Sequence, residues 1–207
     1  MNTNNKERLI GVILAGGKGS RLDGKGKYNQ KFKNNTLLEQ VYDRIKSQFS
    51  YIAVNVKNKE TIVKLNLEVI YDKFSKNIGP LAGIHASLSQ GNNINGEEGY
   101  VCIVPVDTPF LPKDLGKRLY SNMLKNNTDV VFAKSANRVH PTIGLWKNKL
   151  KKYLEFDINK GVRKIDAFTA NFKVSYEEWS IKKYDPFFNI NNHEDLNVAK
   201  KLIIMKD

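Results

Sequence analysis

The chain has 207 residues, and 34 Lys and Arg against 21 Asp and Glu give it a formal charge of +13 at neutral pH. With 41% hydrophobic and 27% charged residues, its composition is that of a globular protein and excludes disordered, collagen-like and disulfide-scaffold chains. At roughly 150 residues per domain the length fits one domain over residues 1–207, with residues 1–7 as a flexible N-terminus, and allows a core with room for a cleft.

Short apolar runs alternate with helical patterns from one end to the other, which predicts an α/β fold, three-layered and Rossmann-like, with a mostly parallel central sheet and helices on both faces. The strands are expected at Leu9–Leu14, Tyr51–Val56, Leu67–Tyr71, Tyr100–Val106, Asp129–Ala133, Pro141–Trp146 and Phe172–Tyr176. Thr36-Leu-Leu-Glu39 reads as a capping box opening a helix with Val41, Ile45 and Phe49 at helical spacing. Further helices are expected after Pro80, after Pro112 with Leu115, Leu119 and Leu124, and after Asn192, where Glu194 and Asp195 suit a positive first turn.

A charge of this size points either to polyanionic partners or to a solvated Lys-rich surface. Lys and Arg recur along the whole chain, with only short clusters such as Lys147, Lys149, Lys151 and Lys152, and no aromatic-interleaved patch or zinc-finger spacing marks a nucleic-acid module. No nucleic-acid partner is expected. No apolar run approaches the roughly 18 residues that cross a bilayer, so no membrane is expected either. Cys102 is the sole cysteine. Lying within the apolar run 100–106, it reads as a buried structural thiol in a reducing, cytoplasmic setting.

Ligands of open α/β sheets bind beyond the carboxyl ends of the strands, so the residues leaving each strand matter most. Leu14-Ala-Gly-Gly-Lys-Gly-Ser-Arg21 follows the first strand directly. Its small residues let backbone N–H groups approach a phosphate or a base, and Lys18, Arg21, Lys25, Lys27 and Lys31 supply charge. It is neither a dinucleotide fingerprint, because Leu22 stands where a third Gly should fall, nor a P-loop, because Gly26 replaces the Ser or Thr that holds Mg²⁺. The apolar run 100–106 enters Asp107, placed to hold a hard cation that prefers few carboxylates plus substrate phosphates. Asp72 and Asn55 leave two other strands, and Gly79-Pro-Leu-Ala-Gly83 is a second glycine loop opening a helix. Only three histidines occur, and no Ser/His/Asp arrangement is visible.

Five motifs in register carry a resemblance over nearly the whole chain: Leu-Ala-Gly-Gly-x-x-x-Arg with Lys27 beyond it, Gly79-Pro-Leu-Ala-Gly, Val104-Pro-Val-Asp-Thr-Pro, His140-Pro-Thr and Phe188-Asn-Ile-Asn-x-x-Glu-Asp. Together they resemble the molybdenum cofactor guanylyltransferases, the MobA family. The resemblance implies transfer of GMP from GTP to the phosphate of molybdopterin with release of pyrophosphate, dependent on Mg²⁺. It implies backbone contacts to the nucleotide from Leu14, Ala15, Gly16 and Gly17, and from Pro80 and Leu81 at the second loop. Lys27 would meet the phosphates with Arg21, Asn55 and Asp72 the base and ribose region, and Asp107 the metal ion; these make Arg21, Lys27 and Asp107 the catalytic candidates. Asn189 and Asn191 would complete the metal and phosphate end, and His140 and Pro141 would lie towards the pterin. GTP and molybdopterin are then the substrates, with transient contacts to other cofactor-biosynthesis or molybdoenzyme-maturation proteins.

The chain departs from the family pattern at four places. Val106 stands for the usual Cys, with its side chain expected to face the core; Leu22-Asp23 stands for Met-Gly; Gly26 stands for the Asp before Lys27, so that Lys25 could share its role; and Asn192-His193 stands for Thr-Pro, with His193 expected at the surface. A molybdopterin cytidylyltransferase or a sugar-phosphate nucleotidyltransferase is the alternative within the fold, and a basic RNA-binding module the alternative outside it.

Overall fold

The computed structural model describes residues 9–17, 27–57, 65–74 and 78–204. The expected flexible N-terminus and Lys18, Arg21, Asp23 and Lys25 lie outside the described residues. In chain order the elements are β1 (Leu9–Leu14), a short 3-10 turn (Lys27–Asn29), β2 (Lys31–Phe32), β3 (Asn35–Thr36), α1 (Leu37–Ile45), β4 (Ile52–Val56), β5 (Glu68–Tyr71) and α2 (Pro80–Asn95). There follow β6 (Tyr100–Pro105), α3 (Leu115–Asn126), β7 (Val130–Ser135), β8 (Arg138–Lys147), α4 (Leu150–Asn159), α5 (Ile165–Thr169), β9 (Val174–Glu178) and α6 (His193–Ile204).

Seven strands form one sheet in the order β5-β4-β1-β6-β8-β7-β9, while β2 and β3 pair by themselves. β1 sits between parallel neighbours β4 and β6, and its first five residues are fully buried, as a near-continuous apolar strand with both faces covered requires. Successive side chains go to opposite faces. Leu9 and Ile13 join Val41 and Ile45 of α1 and Leu115, Leu119 and Met123 of α3. Ile10 and Val12 join Leu81, Ile84 and Leu88 of α2, with Leu150, Leu154 and Ile158 of α4 and Phe168 of α5. The sheet is thus filled from both sides, as the alternating order predicts.

β8 is the antiparallel member, paired that way with both β6 and β7. The cause is local: Ala136 and Asn137 both take positive φ, 44° and 62°, closing β7 onto β8 in a two-residue hairpin that obliges the strands to run in opposite directions.

Thr36 caps α1 as its spacing predicts, its hydroxyl accepting from the Glu39 N–H at 3.2 Å while Glu39 Oε2 accepts from the Thr36 N–H. The helix ends at Ile45, and Phe49 lies beyond it as a wedge in the core: a Cβ on Gly11 or on Gly116 would come within 2.9 Å of its ring. In α3 the apolar face continues from Leu115 and Leu119 to Met123 at 1% exposure, so Leu124, one position further, is turned outward at 54%. The helices α4 and α5 and the β2–β3 pair were not expected. For α4 the signal was present, since Leu150, Leu154 and Ile158 recur every fourth residue.

A third cluster, of Phe32, Leu37, Phe110, Ile190, Leu196 and Ala199, ties α6 and the segment before it to the β2–β3 pair and to the loop that leaves β6. This cluster brings Lys27, Asp107 and Asn191 within reach of one another.

Candidate functional site

The register of the central strands gathers their exits. Leu14 pairs with Asn55 on one side and with Pro105 on the other, and Asn55 pairs with Ile70. The pairing runs on past the ends, with the Ala15 N–H donating to Asn55 O at 2.7 Å and the Val106 N–H to Leu14 O at 3.0 Å. Asp72 stands one residue beyond the last paired position of β5 and Asp107 two beyond that of β6, so both carboxylates leave the sheet at the same edge as the first glycine loop.

There they border a cleft of about 410 Å³, within the usual range of small-molecule sites. Of the residues expected to contact a nucleotide, Leu14, Gly16, Gly17, Lys27, Asn55, Asp72, Pro80 and Asp107 line it. Ala15 and Leu81 do not: at 4% and 0% exposure they pack into the core layers on either face of the sheet. The second glycine loop takes part through Gly79, Pro80 and Gly83, with Gly79 at φ +64°, a conformation that favours glycine, and Pro80 opening α2.

At one cluster in the cleft, Lys27 Nζ donates to Asp107 Oδ2 at 2.8 Å and to Asn191 Oδ1 at 2.9 Å. Both charged side chains are largely covered, at 16% and 13% exposure, which strengthens a charge-assisted bond. An ammonium has three N–H donors, so among the described residues one is left for a ligand. Asn191 is set by the start of α6: its N–H donates to Asp195 Oδ2, and the Asp195 N–H donates to Asn192 Oδ1, each at 2.8 Å. The Ile190 N–H donates to the main-chain oxygen of Asp107 at 2.9 Å, joining the late strip to the β6 exit. Asp107 Oδ1 and Asn189 Oδ1 are buried and accept no hydrogen bond among the described residues. Buried oxygens left in that state are costly without a partner, and two on joined strips suit a hard cation.

At the other cluster, Asn55, 2% exposed, donates from Nδ2 to Asp72 Oδ1 at 3.0 Å and to Ile70 O at 3.4 Å. Burial raises the Asp72 carboxyl above its ordinary range, against the opposing pull of the Asn55 amide and the Lys57 charge. A Cβ on Gly83 would fall 2.5 Å from Asn55 Oδ1, so α2 comes as near as it does because position 83 has no side chain.

His140 and Pro141 lie outside the cleft lining. His140 is 8% exposed; its Nε2 is 2.8 Å from Ser135 Oγ, and its ring packs against Phe187 at 4.9 Å. The third residue of that motif, Thr142, is the one that lines the cleft. Val106 is 4% exposed within the core, as expected, and also borders the cleft. His193 is exposed at the start of α6. Cys102 is buried, and burial pushes its thiol pKa up. Lys57 and Ile78 also line the cleft without having been expected. Lys57 stands two residues past Asn55 at the β4 exit, and its main-chain nitrogen would be 3.3 Å from a Cβ on Gly16.

Among the described residues no three His, Cys, Asp or Glu side chains gather as a metal-binding group. No helix of the described residues is long and apolar enough to cross a membrane.

A mostly parallel sheet whose strand exits hold two glycine loops and two carboxylates around one cleft, with a lysine bonded to one of them, has the layout of the nucleotide-binding α/β proteins. The profile of the MobA-like NTP transferase domain matches residues 11–173. A molybdenum cofactor guanylyltransferase of Bradyrhizobium sp. (strain ORS 278) is 34% identical over 209 residues, covering 100% of this chain and 99% of that protein. One of Nitrobacter hamburgensis is 36% identical over 195 residues, covering 93% of each chain. The crystal structure of molybdopterin-guanine dinucleotide biosynthesis protein A from Archaeoglobus fulgidus superposes with a TM-score of 0.76 at 25% identity, over 96% of this chain and 100% of that one. The chain belongs to the MobA-like NTP transferase family.

Proposed function

We propose that this protein is a Mg²⁺-dependent molybdenum cofactor guanylyltransferase, which transfers GMP from GTP to the phosphate of molybdopterin and releases pyrophosphate in the cytoplasm. The observation that carries this reading is the convergence of Lys27, Asp107 and Asn191 on the same cleft as Asn55 and Asp72. The names of the full-length relatives support the choice of substrates.

Transfer requires in-line attack of a phosphate oxygen at the α-phosphorus of the nucleotide. The attacking phosphate is already ionised at neutral pH, so no strong general base is needed, and positioning with charge stabilisation supplies the catalysis. Gly16 and Gly17 let the chain approach the nucleotide, and the Asp72 carboxylate, oriented by Asn55, accepts hydrogen bonds from base N–H or ribose O–H groups. Lys27 turns its remaining donor to the triphosphate and offsets charge growing on the oxygen of the departing pyrophosphate, with Arg21 as a second cation. Asp107, with Asn189 and Asn191 on the adjoining strip, would hold Mg²⁺, which supplies Lewis-acid stabilisation of the phosphates when bound. His140 and Pro141 belong to the pterin side through the β7–β8 hairpin they help to build, and the protein partners are transient.

The test is pyrophosphate release by the purified protein with molybdopterin as acceptor and GTP, CTP, ATP or UTP as donor. Preference for GTP, lost on chelation and restored by Mg²⁺, is the expected result. Preference for CTP would assign the protein to the cytidylyl branch, and equal use of all four would overturn the guanylyl reading.

A further inference from the structure

Lys57 lines the cleft, and the transfer described above gives it no part. The β4–β5 register ends with Val56 beside Tyr71, so the next residues, Lys57 and Asp72, leave neighbouring strands side by side. Each stands two positions beyond the pair Asn55 and Ile70, which by strand alternation puts both on the face where Gly83 of α2 meets Asn55. Burial raises the Asp72 pKa while the Asn55 amide and then the Lys57 charge pull it down, so the ammonium lies on the β5 side of the cleft. Among the described residues no hydrogen bond or ion pair holds that ammonium. The two charges sense each other without closing, and the edge of a ligand can enter between them.

Asp107 leaves β6, two strands from β4 and three from β5, so it stands about 10 Å from Lys57 and about 14 Å from Asp72 along the sheet edge. With the triphosphate at Lys27 and Asp107, the base falls at the β4–β5 side. Ile78 and Ala82 share a core cluster with Ala53 of β4 and Ile70 of β5, and they give this end of the cleft an apolar wall that suits a flat ring rather than a phosphate.

We propose that Lys57 is a specificity-determining residue, donating to the O6 carbonyl of guanine while the Asp72 carboxylate takes the adjacent N1–H and N2–H groups. The inference rests on the guanylyl reading and adds to it the side chain that reads the base. A lysine is a donor only and an ionised carboxylate an acceptor only. Guanine is the base that sets a carbonyl oxygen beside two N–H donors along one edge. Adenine and cytosine place an amino group where that oxygen stands, and its hydrogens face an ammonium that cannot accept them. Uracil keeps the carbonyl but offers the carboxylate one N–H in place of two. A cation that only offset the Asp72 charge, or that steered the triphosphate, would be indifferent to these differences.

The test is isothermal titration calorimetry of the full chain and of Lys57→Met with GTP, inosine triphosphate and 2-aminopurine riboside triphosphate, which lacks the O6 oxygen but keeps the 2-amino group. Lys57 is exposed, so the variant should fold as the parent does. Lys57→Met is expected to weaken GTP and inosine triphosphate by about tenfold each and to leave the 2-aminopurine compound within about twofold, while Lys57→Arg keeps the preference for GTP. Equal weakening of all three nucleotides and of tripolyphosphate would make Lys57 a phosphate cation, and unchanged affinity for all three would make it a counter-charge of Asp72; either result overturns the proposal. A parent protein that binds CTP as tightly as GTP would overturn the guanylyl reading and this one together, whereas a parent that prefers GTP and a Lys57→Met variant that keeps the whole preference would overturn this one alone.

Discussion

Lys27 and Asp107 meet at 2.8 Å although 80 residues separate them in the chain, and Asn191 joins them from 164 residues away. Among the described residues the contact leaves one lysine donor and one carboxylate oxygen uncommitted, which is the arrangement a phosphate and a cation need. Lys27→Ala and Asp107→Asn are each expected to lower turnover by about two to four orders of magnitude while the far-ultraviolet circular dichroism is unchanged. Steady-state kinetics checks this, and turnover near that of the parent in either variant would remove the residue from the machinery.

Gly83 tests the other cluster. In a helix interior Gly→Ala ordinarily stabilises by about 1 kcal/mol. Here the added methyl would lie 2.5 Å from Asn55 Oδ1 and displace the amide that holds Asp72. Gly83→Ala should therefore raise the KM for GTP by about tenfold and leave the melting temperature no higher. A thermally stabilised variant with unchanged KM would contradict the packing described.

His85 on α2 gives a pH dependence of stability. It is fully buried, and its Nε2 lies 3.6 Å from Glu155 Oε2, too far for a hydrogen bond; Lys73 and Lys151 flank that carboxylate. Burial lowers its pKa by more than Glu155 raises it. The unfolded chain therefore takes up a proton near pH 6.5 that the folded chain refuses until lower pH, so stability falls as pH drops below that value, by up to about 1.4 kcal/mol per unit. Urea unfolding at pH 7.5 and pH 5.5 should show this loss, and His85→Leu should reduce it.

His140 is held in a chain of hydrogen bonds. The Ser135 hydroxyl donates to Asp185 Oδ1 at 2.8 Å, so it accepts from His140, which must carry its proton on Nε2. Removing the ring would leave Ser135 short of a donor and Phe187 short of a neighbour. His140→Ala is expected to cost about 1–3 kcal/mol, seen as a melting temperature lower by several degrees, with GTP affinity retained. A large loss of GTP affinity at unchanged melting temperature would place the ring closer to the nucleotide than the fold does.

Much of the architecture was legible because it rests on local patterns. Apolar runs such as 9–14 and 100–105 are long enough and turn-bounded enough to declare buried strands, and the Thr36–Glu39 capping box declared α1. Phe49 kept the helical spacing yet lies past the helix, because its ring fills the space that Gly11 and Gly116 leave open, a fit no local pattern records. β8 was expected but not its direction, which depends on two residues in the positive-φ region.

At the candidate site, residue types and strand-exit positions were enough to select Asn55, Asp72 and Asp107, since a chain that leaves a buried strand through a polar residue places it at the sheet edge, while the family resemblance singled out Lys27 from the basic residues behind the first glycine loop. Tertiary structure decided which of the selected residues meet. The third core cluster folds α6 back against the β6 exit and so brings Asn191 to Lys27, while core packing withdraws Ala15 and Leu81 from the cleft and the hairpin exposes Thr142 to it instead of His140. The charge of +13 divides in the same way: its size is a property of the sequence, whereas Lys27 in the cleft acquires its setting from segments far away in the chain, through burial that composition does not encode.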